Sequence, residues 1–284
     1  MNKLSVITVN FNNNNGLKRT INSVFSQIFT DYEYIIIDGG STDGSKALIE
    51  QNSHNITYWV SEPDRGIYHA MNKGIAAAKG EYLLFLNSGD WLADDTIIER
   101  AFSHNPKADI VSGDVYFYDT EKNAIKWHVP SPENLTAKAL FLGTLPHQAT
   151  FIKRDLFRKF GPYDETLQIA ADWLFFVKVL LEHQCTYEHI PLTISYFAMD
   201  GISCSPSSHS LPRKEQLQEL QNKYPRFVPD YELLGNLEKE MHHWKESREY
   251  TVYQWMKRWG LIQAGILVLR AIRSVKRKTG FLNS

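Results

Sequence analysis

The first ninety residues alternate between short apolar runs and longer stretches that carry a single apolar stripe. Leu4 to Val9, Tyr34 to Ile37, Thr57 to Val60 and Tyr82 to Leu86 are bounded by polar residues and predict strands. Between the first two, Leu17, Ile21, Val24, Phe25 and Ile28 recur at helical spacing and predict a helix that covers one sheet face. Ile67, Met71, Gly74, Ile75 and Ala78 predict a second helix, with Gly80 placed to cap it. Strands alternating with amphipathic helices are the pattern of consecutive βαβ units. The expected class is therefore α/β, with a mostly parallel central sheet and helices on both faces.

Beyond residue 91 the pattern loosens. Asp109 to Tyr118 predicts another strand, and a polar, proline-containing stretch to Pro146 predicts an excursion on the substrate side. Gln148 to Lys153 and Thr193 to Phe197 predict strands. Ala171 to His183, with Trp173, Phe176, Val177, Leu180 and Leu181, predicts an apolar helix bearing Asp172 in its first turn. After Ser207 only helix and loop are expected. The organisation read from these shifts is one domain over 1–205, with halves at 1–90 and 91–205, and a helical extension over 206–284.

That extension ends unlike the rest. From Met256 to Ser284 there are seven Lys or Arg residues and no Asp or Glu, interleaved with apolar residues such as Trp259, Ile262, Ile266 and Leu269. One reading is an interfacial helix whose cations face anionic lipid; the other is a helix packed on its own domain with a solvated basic face.

Composition narrows the function classes. With 43% hydrophobic and 22% charged residues the chain has an ordinary globular make-up, and a net charge of −1 removes any whole-chain argument for nucleic acid. Cys185 and Cys204 are too few for a disulfide framework or a four-cysteine zinc site, and read as packing residues in a reducing compartment. The apolar run at Leu4 is too short for a signal peptide, and no stretch reaches the roughly 18–20 apolar residues that a spanning helix needs. The expectation is a cytoplasmic chain, with any membrane contact peripheral and at the inner face of the plasma membrane.

In open α/β sheets, ligands sit beyond the carboxyl ends of the strands. Those ends carry Thr8, Asn10 and Asn12; Asp38-Gly39-Gly40-Ser41-Thr42-Asp43-Gly44; Ser61-Glu62-Pro63-Asp64-Arg65-Gly66; and Asn87-Ser88-Gly89-Asp90. Carboxylates gathered on one rim repel each other, so a cation or a hydrogen-bond donor is expected there. Taken alone, the loop after Asp38 reads equally well as a turn. Its acids do not fall at EF-hand positions, and neither GxGxxG nor GxxxxGK[ST] follows the first strand.

The ordered set Ser5-Val6-Ile7-Thr8-Val9-Asn10, Asp38-Gly39-Gly40-Ser41-Thr42-Asp43, Glu62-Pro63-Asp64-Arg65-Gly66-Ile67-Tyr68, Met71-Asn72-Lys73-Gly74 and Phe85-Leu86-Asn87-Ser88-Gly89-Asp90 resembles family 2 glycosyltransferases of the GT-A fold. The likeness, to bacterial cell-surface polysaccharide enzymes in particular, continues through Pro146-His147-Gln148, Ala171-Asp172-Trp173 and Gly201-Ile202-Ser203. It covers roughly residues 1–205 and leaves the tail unexplained.

What the resemblance implies is specific. Asp38 would accept from a nucleobase N–H, with Thr8 and Asn10 lining the base and ribose pocket, and Asp64, Arg65, Asn72 and Asn87 would also face the donor. Asp90 would hold Mg2+ or Mn2+ against the donor's diphosphate, where a Lewis acid offsets the leaving group's charge. Asp172 would be the general base for inverting attack, and His147 and Gln148 would stand beside the donor phosphates or the acceptor. The implied partners are a nucleotide-diphosphate sugar, with uridine the expected base, and a hydroxyl of a glycan or lipid-linked saccharide. The chain departs from the family in having one carboxylate in Asn87-Ser88-Gly89-Asp90, His69 where Asp is frequent, and Ala171 where Glu is frequent. His69 is expected to face solvent or a neighbouring helix. Two alternatives stand beside this reading: a non-catalytic sugar-nucleotide module, prompted by the thinned acidic motif, and a nucleotidyltransferase, which would need a basic glycine-rich loop after the first strand.

Overall fold

A computed structural model describes residues 2–199 and 211–267. They divide into two compact units, Met1–Pro225 and Arg226–Ser284. The first is built on a nine-stranded sheet with β1 (Leu4–Asn10), β2 (Tyr32–Asp38), β3 (Tyr58–Ser61), β4 (Tyr82–Phe85), β5 (Trp91–Leu92), β6 (Ile110–Asp119), β7 (Ala124–Val129), β8 (Thr150–Lys153) and β9 (Tyr187–Ala198). The spatial order is β3-β2-β1-β4-β8-β6-β9-β5, with β7 paired to β6.

The strands β3, β2, β1 and β4 run parallel, and β1 and β4 are buried along their whole length, so they read as continuous apolar runs. Register sets the chemistry at their carboxyl ends. Asn10 lies beside Asp38 and Asp38 beside Ser61, which brings three polar side chains level on adjacent strands.

Helices α1 (Asn14–Phe25), α2 (Ser45–Gln51) and α3 (Ile67–Ala77) connect these strands. Leu17, Ile21 and Val24 of α1 pack with Leu4, Val6, Tyr34 and Ile36. The opposite face of β1 receives α3, whose Gly74 lies so close to Ile7 that an added Cβ would meet Ile7 Cγ2 at 2.5 Å. Ile28 is not part of α1. The helix stops at Phe25, Ile28 N–H donates to Asp95 O at 2.9 Å, and its side chain is 51% exposed.

Past β4 the sheet becomes mixed, because β8 runs antiparallel to both β4 and β6 while β6 and β9 are parallel. The excursion expected up to Pro146 is largely ordered: β7 folds back on β6 as a hairpin, and α5 (Ala137–Leu142) follows, with the Trp173 indole N–H donating to Leu140 O at 2.6 Å. The strand expected from Gln148 begins at Thr150, after a 3-10 turn over His147–Ala149. Between β4 and β6 lies α4 (Ile97–Phe102).

Helix α6 (Arg154–Phe160) precedes α7 (Ala171–Val177), which loosens into a π-helical turn over Lys178–Glu182. The first unit ends with α8 (Leu211–Lys223). The second contains α9 (Val228–Glu246) and α10 (Arg248–Arg258). Cys185 is half-buried, in keeping with a packing role. Cys204 and the motif Gly201-Ile202-Ser203 lie outside the described residues, as does the tail after 267. Among the described residues no helix is long and apolar enough to cross a membrane.

Gly80 has a different role from the cap expected of it. Helix α3 closes at Ala78, and Gly80 packs its backbone against β1, where a Cβ would lie 2.5 Å from Ser5 N and 2.6 Å from Leu4 C. Both atoms are backbone and cannot swing aside. Gly80→Ala is expected to lower unfolding free energy by about 1–3 kcal/mol, the usual cost of overpacking a tight core. Urea titration of the two proteins measures it, and equal midpoints would show that the strand end tolerates the methyl group.

Candidate functional site

The site grows from the end of β2. Asp38 is fully buried, and its Oδ1 accepts from Asn10 Nδ2 at 2.7 Å and Ser41 Oγ at 2.5 Å. Its Oδ2 accepts from Ser41 N–H at 3.0 Å and Ser61 Oγ at 2.6 Å. Burial works against the charge, but the bonds from Ser41, Ser61 and Asn10 outweigh it and hold the carboxyl below its ordinary value. Asn12, in a left-handed conformation at φ 47°, adds a second tie by accepting from Thr42 N–H at 2.9 Å.

Asn10 carries this anchored geometry into a cavity of about 530 Å3 beyond the carboxyl ends of β1 and β4, lined also by Gly39, Asp64, Asn87, Asp90 and His147. Three acceptor oxygens on that lining are buried with no hydrogen-bond partner: Asn10 Oδ1, Asp64 Oδ2 and Asn87 Oδ1. Unmade bonds of this kind cost roughly 1–3 kcal/mol each, so the cavity is suited to a ligand rich in donors. Asp64 is held from the other side by Lys73 Nζ at 2.7 Å and His69 Nδ1 at 2.9 Å, and Lys73 also reaches Glu62 at 2.7 Å. His69 therefore turns towards Asp64. Asp90 Oδ1 accepts from Ala198 N–H at 3.0 Å, which ties the end of β9 to the rim.

At the inner end of the cavity is an acid–base pair. Asp172 sits in the first turn of α7, 8% exposed, with Oδ2 2.9 Å from His147 Nδ1 and Oδ1 accepting from the Tyr68 hydroxyl at 2.9 Å. His147 Nε2 lies 3.2 Å from Asn87 Nδ2. Burial opposes the Asp172 charge, yet the hydrogen bond and charge of His147, followed by Tyr68, keep it below the ordinary carboxyl value. Burial likewise opposes protonation of His147, and the Asp172 bond and charge, with Asp90 behind, outweigh it and raise the imidazole above its ordinary value. Burial first and the Asp172 charge second push the Tyr68 phenol well up. Helix α7 is itself oriented from α8: Glu215 accepts backbone N–H bonds from Gln168, Ile169 and Ala170 at 2.8, 3.0 and 3.1 Å.

The structure thus brings Asn10, Asp64, Asn87, Asp90 and His147 onto one cavity, with Asp38 directly behind Asn10 and Asp172 directly behind His147. Four expected residues stand elsewhere. Thr8 is fully buried inside the sheet, donating to Leu86 O at 2.7 Å, so it stitches β1 to the β4 end instead of lining a pocket. Arg65 points outward to Glu165 at 2.7 Å, and Asn72 clasps the Tyr163 backbone, its Nδ2 2.9 Å from Tyr163 O. Gln148 is buried in the 3-10 turn and is absent from the lining. Sequence reasoning missed Tyr68, which sits inside a quoted motif, and Lys73, one residue after Asn72. It also missed Glu215, which no local pattern marks.

Comparison with known proteins places this geometry in context. Residues 5–181 match the family described as Glycosyl transferase family 2. An uncharacterized glycosyltransferase of Mycobacterium tuberculosis is 32% identical over 230 residues, spanning 78% of this chain and 85% of that protein. A PGL/p-HBAD biosynthesis glycosyltransferase of Mycobacterium bovis is 29% identical over 195 residues, 66% of this chain and 73% of its own length. Among solved structures, Staphylococcus aureus TarS 1–349 in complex with UDP-GlcNAc superposes with a TM-score of 0.58 at 19% identity, over 78% of this chain and 67% of that one. The Pyrobaculum calidifontis mannosyltransferase PcManGT in complex with GDP-Man and Mn2+ superposes with a TM-score of 0.57 at 16% identity, over 93% and 86% of the two chains. At these identities the superpositions establish the fold.

The Asp38 node makes a measurable demand on stability. Asp38→Asn exchanges a charged acceptor for one that must turn a donor towards other donors, with an expected loss of about 1.5–3 kcal/mol near neutral pH. The folded carboxyl lies below its unfolded value, so this contribution is complete above about pH 4 and is lost as pH falls through the folded value. Urea unfolding of both proteins at descending pH is expected to show the gap closing in acid; a gap independent of pH would contradict the assignment.

Proposed function

The chain belongs to glycosyl transferase family 2, and from that premise we propose that it moves a sugar, with inversion, from a nucleotide-diphosphate donor to a hydroxyl of a glycan or lipid-linked saccharide. The supporting observation is the cavity at the strand ends, where three buried acceptor oxygens have no protein partner. A nucleoside and a sugar are dense in N–H and O–H donors. Asn10, fixed through Asp38, offers its Oδ1 to a base N–H or ribose hydroxyl, while Asp64 and Asn87 offer theirs to sugar hydroxyls. Asp38 itself is saturated by four protein donors and acts through Asn10 and Ser41. A uridine diphosphate sugar is the first donor to test.

The residues present fit a divalent cation of a particular kind. Asp90 lines the cavity, and among the described residues no group of three or more His, Cys, Asp or Glu could form a protein cage. Mg2+ or Mn2+ is commonly held by one or two carboxylates plus substrate phosphates, so Asp90 would share the ion with the diphosphate. Bound there, the ion supplies charge neutralisation to the departing diphosphate. Asp172, buried and paired with His147, would be the general base that takes the acceptor's proton. Such a pair is costly to bury and serves no purpose in a module that only binds, which favours catalysis over the non-catalytic alternative. No Lys or Arg follows β1 before Lys18, which disfavours a nucleotidyltransferase.

A membrane-presented acceptor suits the segment after Arg226. On α9, Leu233, Leu237, Met241 and Trp244 are exposed, as are Trp255 of α10 and Trp259, and the sequence from Met256 onward carries cations without acids.

Two measurements test the proposal. In calorimetry, wild-type protein is expected to bind a uridine diphosphate sugar more tightly with Mn2+ than without, and Asp90→Asn to lose that difference; Mn2+ binding equally well to protein without nucleotide would overturn the shared-ligand arrangement. In vesicle sedimentation, the chain is expected to pellet with anionic but not zwitterionic vesicles and to be released by salt. Failure to pellet with either would remove the membrane contact.

A further inference from the structure

Asp172 is tethered at both oxygens, and the tethers come from different elements. His147, in the turn before β8, lies with Nδ1 2.9 Å from Oδ2, and the Tyr68 hydroxyl of α3 donates to Oδ1 at 2.9 Å. A carboxylate has about two lone-pair sites on each oxygen, so one bond to each leaves a free site on both. Held at both oxygens, the group cannot turn about its Cβ–Cγ bond, and the direction of the free sites is fixed. Tyr68 is committed to this one contact. It is 4% exposed, its ring lies against Tyr163 with centroids 5.5 Å apart, and its hydroxyl makes no other hydrogen bond among the described residues. Burial first and the Asp172 charge second hold the phenol well above its ordinary value, so it stays a donor at any working pH. Its neighbours along the helix, Ile67 and Ala70, line the cavity, whereas Tyr68 does not. Asn72, one turn further on and on the same face of α3, grips the Tyr163 backbone at its N–H and its carbonyl, at 3.0 and 2.9 Å. The first turn of α3 therefore carries both a wall of the cavity and a hydrogen bond to the base.

Resting on the transferase reading above, we infer that Tyr68 is a positioning residue for the reaction, its hydroxyl fixing the plane of the Asp172 carboxylate and tying the base to the helix that walls the donor's cavity. Asp172 keeps the proton-accepting role, and Tyr68 acts only through it. The charged and titratable groups around the carboxylate are His147 from the turn before β8, Tyr68 from α3 and Tyr163 from the segment between α6 and α7. Glu215 of α8 lies on the amides of residues 168–170, and Asp90 bears on His147. Burial works against the Asp172 charge, and His147 first and Tyr68 after it outweigh burial. Removing the Tyr68 hydroxyl takes away one of the bonds that hold the carboxyl low, so the base then titrates at higher pH.

The test follows nucleoside diphosphate release by the full chain from a panel of nucleotide-diphosphate sugars, with Mn2+ and octyl glycosides as the hydroxyl probe. Tyr68→Phe keeps the ring and removes only the hydroxyl. It is expected to lose about 10- to 100-fold in kcat, the scale of a displaced reacting group, while donor affinity in calorimetry stays within about twofold. The acid limb of its kcat profile is expected to move to higher pH. Ring-fluorinated tyrosine in place of Tyr68, a stronger hydrogen-bond donor of nearly the same shape, should move that limb to lower pH. The fluorinated protein retains the hydroxyl and decides the matter even where Tyr68→Phe folds poorly. A tyrosine that merely fills space would change the active fraction and leave the limb in place. A limb unmoved in the fluorinated protein, or Tyr68→Phe with wild-type kcat and limb, overturns the inference. A wild type that releases no nucleoside diphosphate from any donor overturns the transferase reading as well, and is recognisable because wild type and variants are then equally silent.

Discussion

A carboxylate withdrawn from water must find its hydrogen bonds in the protein, and Asp38 finds four of them on three pieces of chain. Asn10 comes from β1, Ser41 from the loop after β2, and Ser61 from the end of β3. The charge is stable only when those pieces stand level, and the parallel register delivers two of them opposite one another. The geometry of the cavity wall follows, since the side chain that reaches the cavity, Asn10, has its amide nitrogen committed to the anchor and its carbonyl oxygen turned to the ligand space.

The same economy recurs at the far end. Asp172 is buried beside His147 and Tyr68, and each neighbour offers it a hydrogen. Two anionic centres are thus kept ionised by opposite means: neutral hydroxyl and amide donors around Asp38, an imidazole and a phenol around Asp172. The first environment has no proton to exchange near neutrality and serves as architecture. The second contains an imidazole that the neighbouring Asp172 carboxylate holds above its ordinary value, a group suited to chemistry.

Much of the amino-terminal half was legible because a strand buried on both faces must be apolar along its length, and its polar terminus then stands out. Asn10, Asp38, Asn87 and Asp90 were found for that reason. Thr8 was misplaced because alternation along β1 turns it into the sheet packing, a matter of side that a seven-residue apolar run does not disclose. Strand β7 escaped because its outward face is exposed and carries Lys126 and His128, which read as loop. The His147–Asp172–Tyr68 contact joins three elements far apart in sequence, so no local period could announce it. Arg65 and Asn72 share a motif with Asp64, yet Arg65, the very next residue, turns outward to Glu165, and Asn72, within α3, grips Tyr163 and Glu165.

The clamp from α8 bears on how this protein can be divided. Glu215 holds three successive amides at the entrance of α7, two residues ahead of Asp172, yet it lies well beyond residue 181, where the family match stops. The stretch that the family model matches is consequently completed by a side chain from outside it. The helix that carries Asp172 is aimed from beyond residue 181, so a swap of carboxyl-terminal segments made at that boundary would carry part of the placement of Asp172 along with whatever else it was meant to transplant.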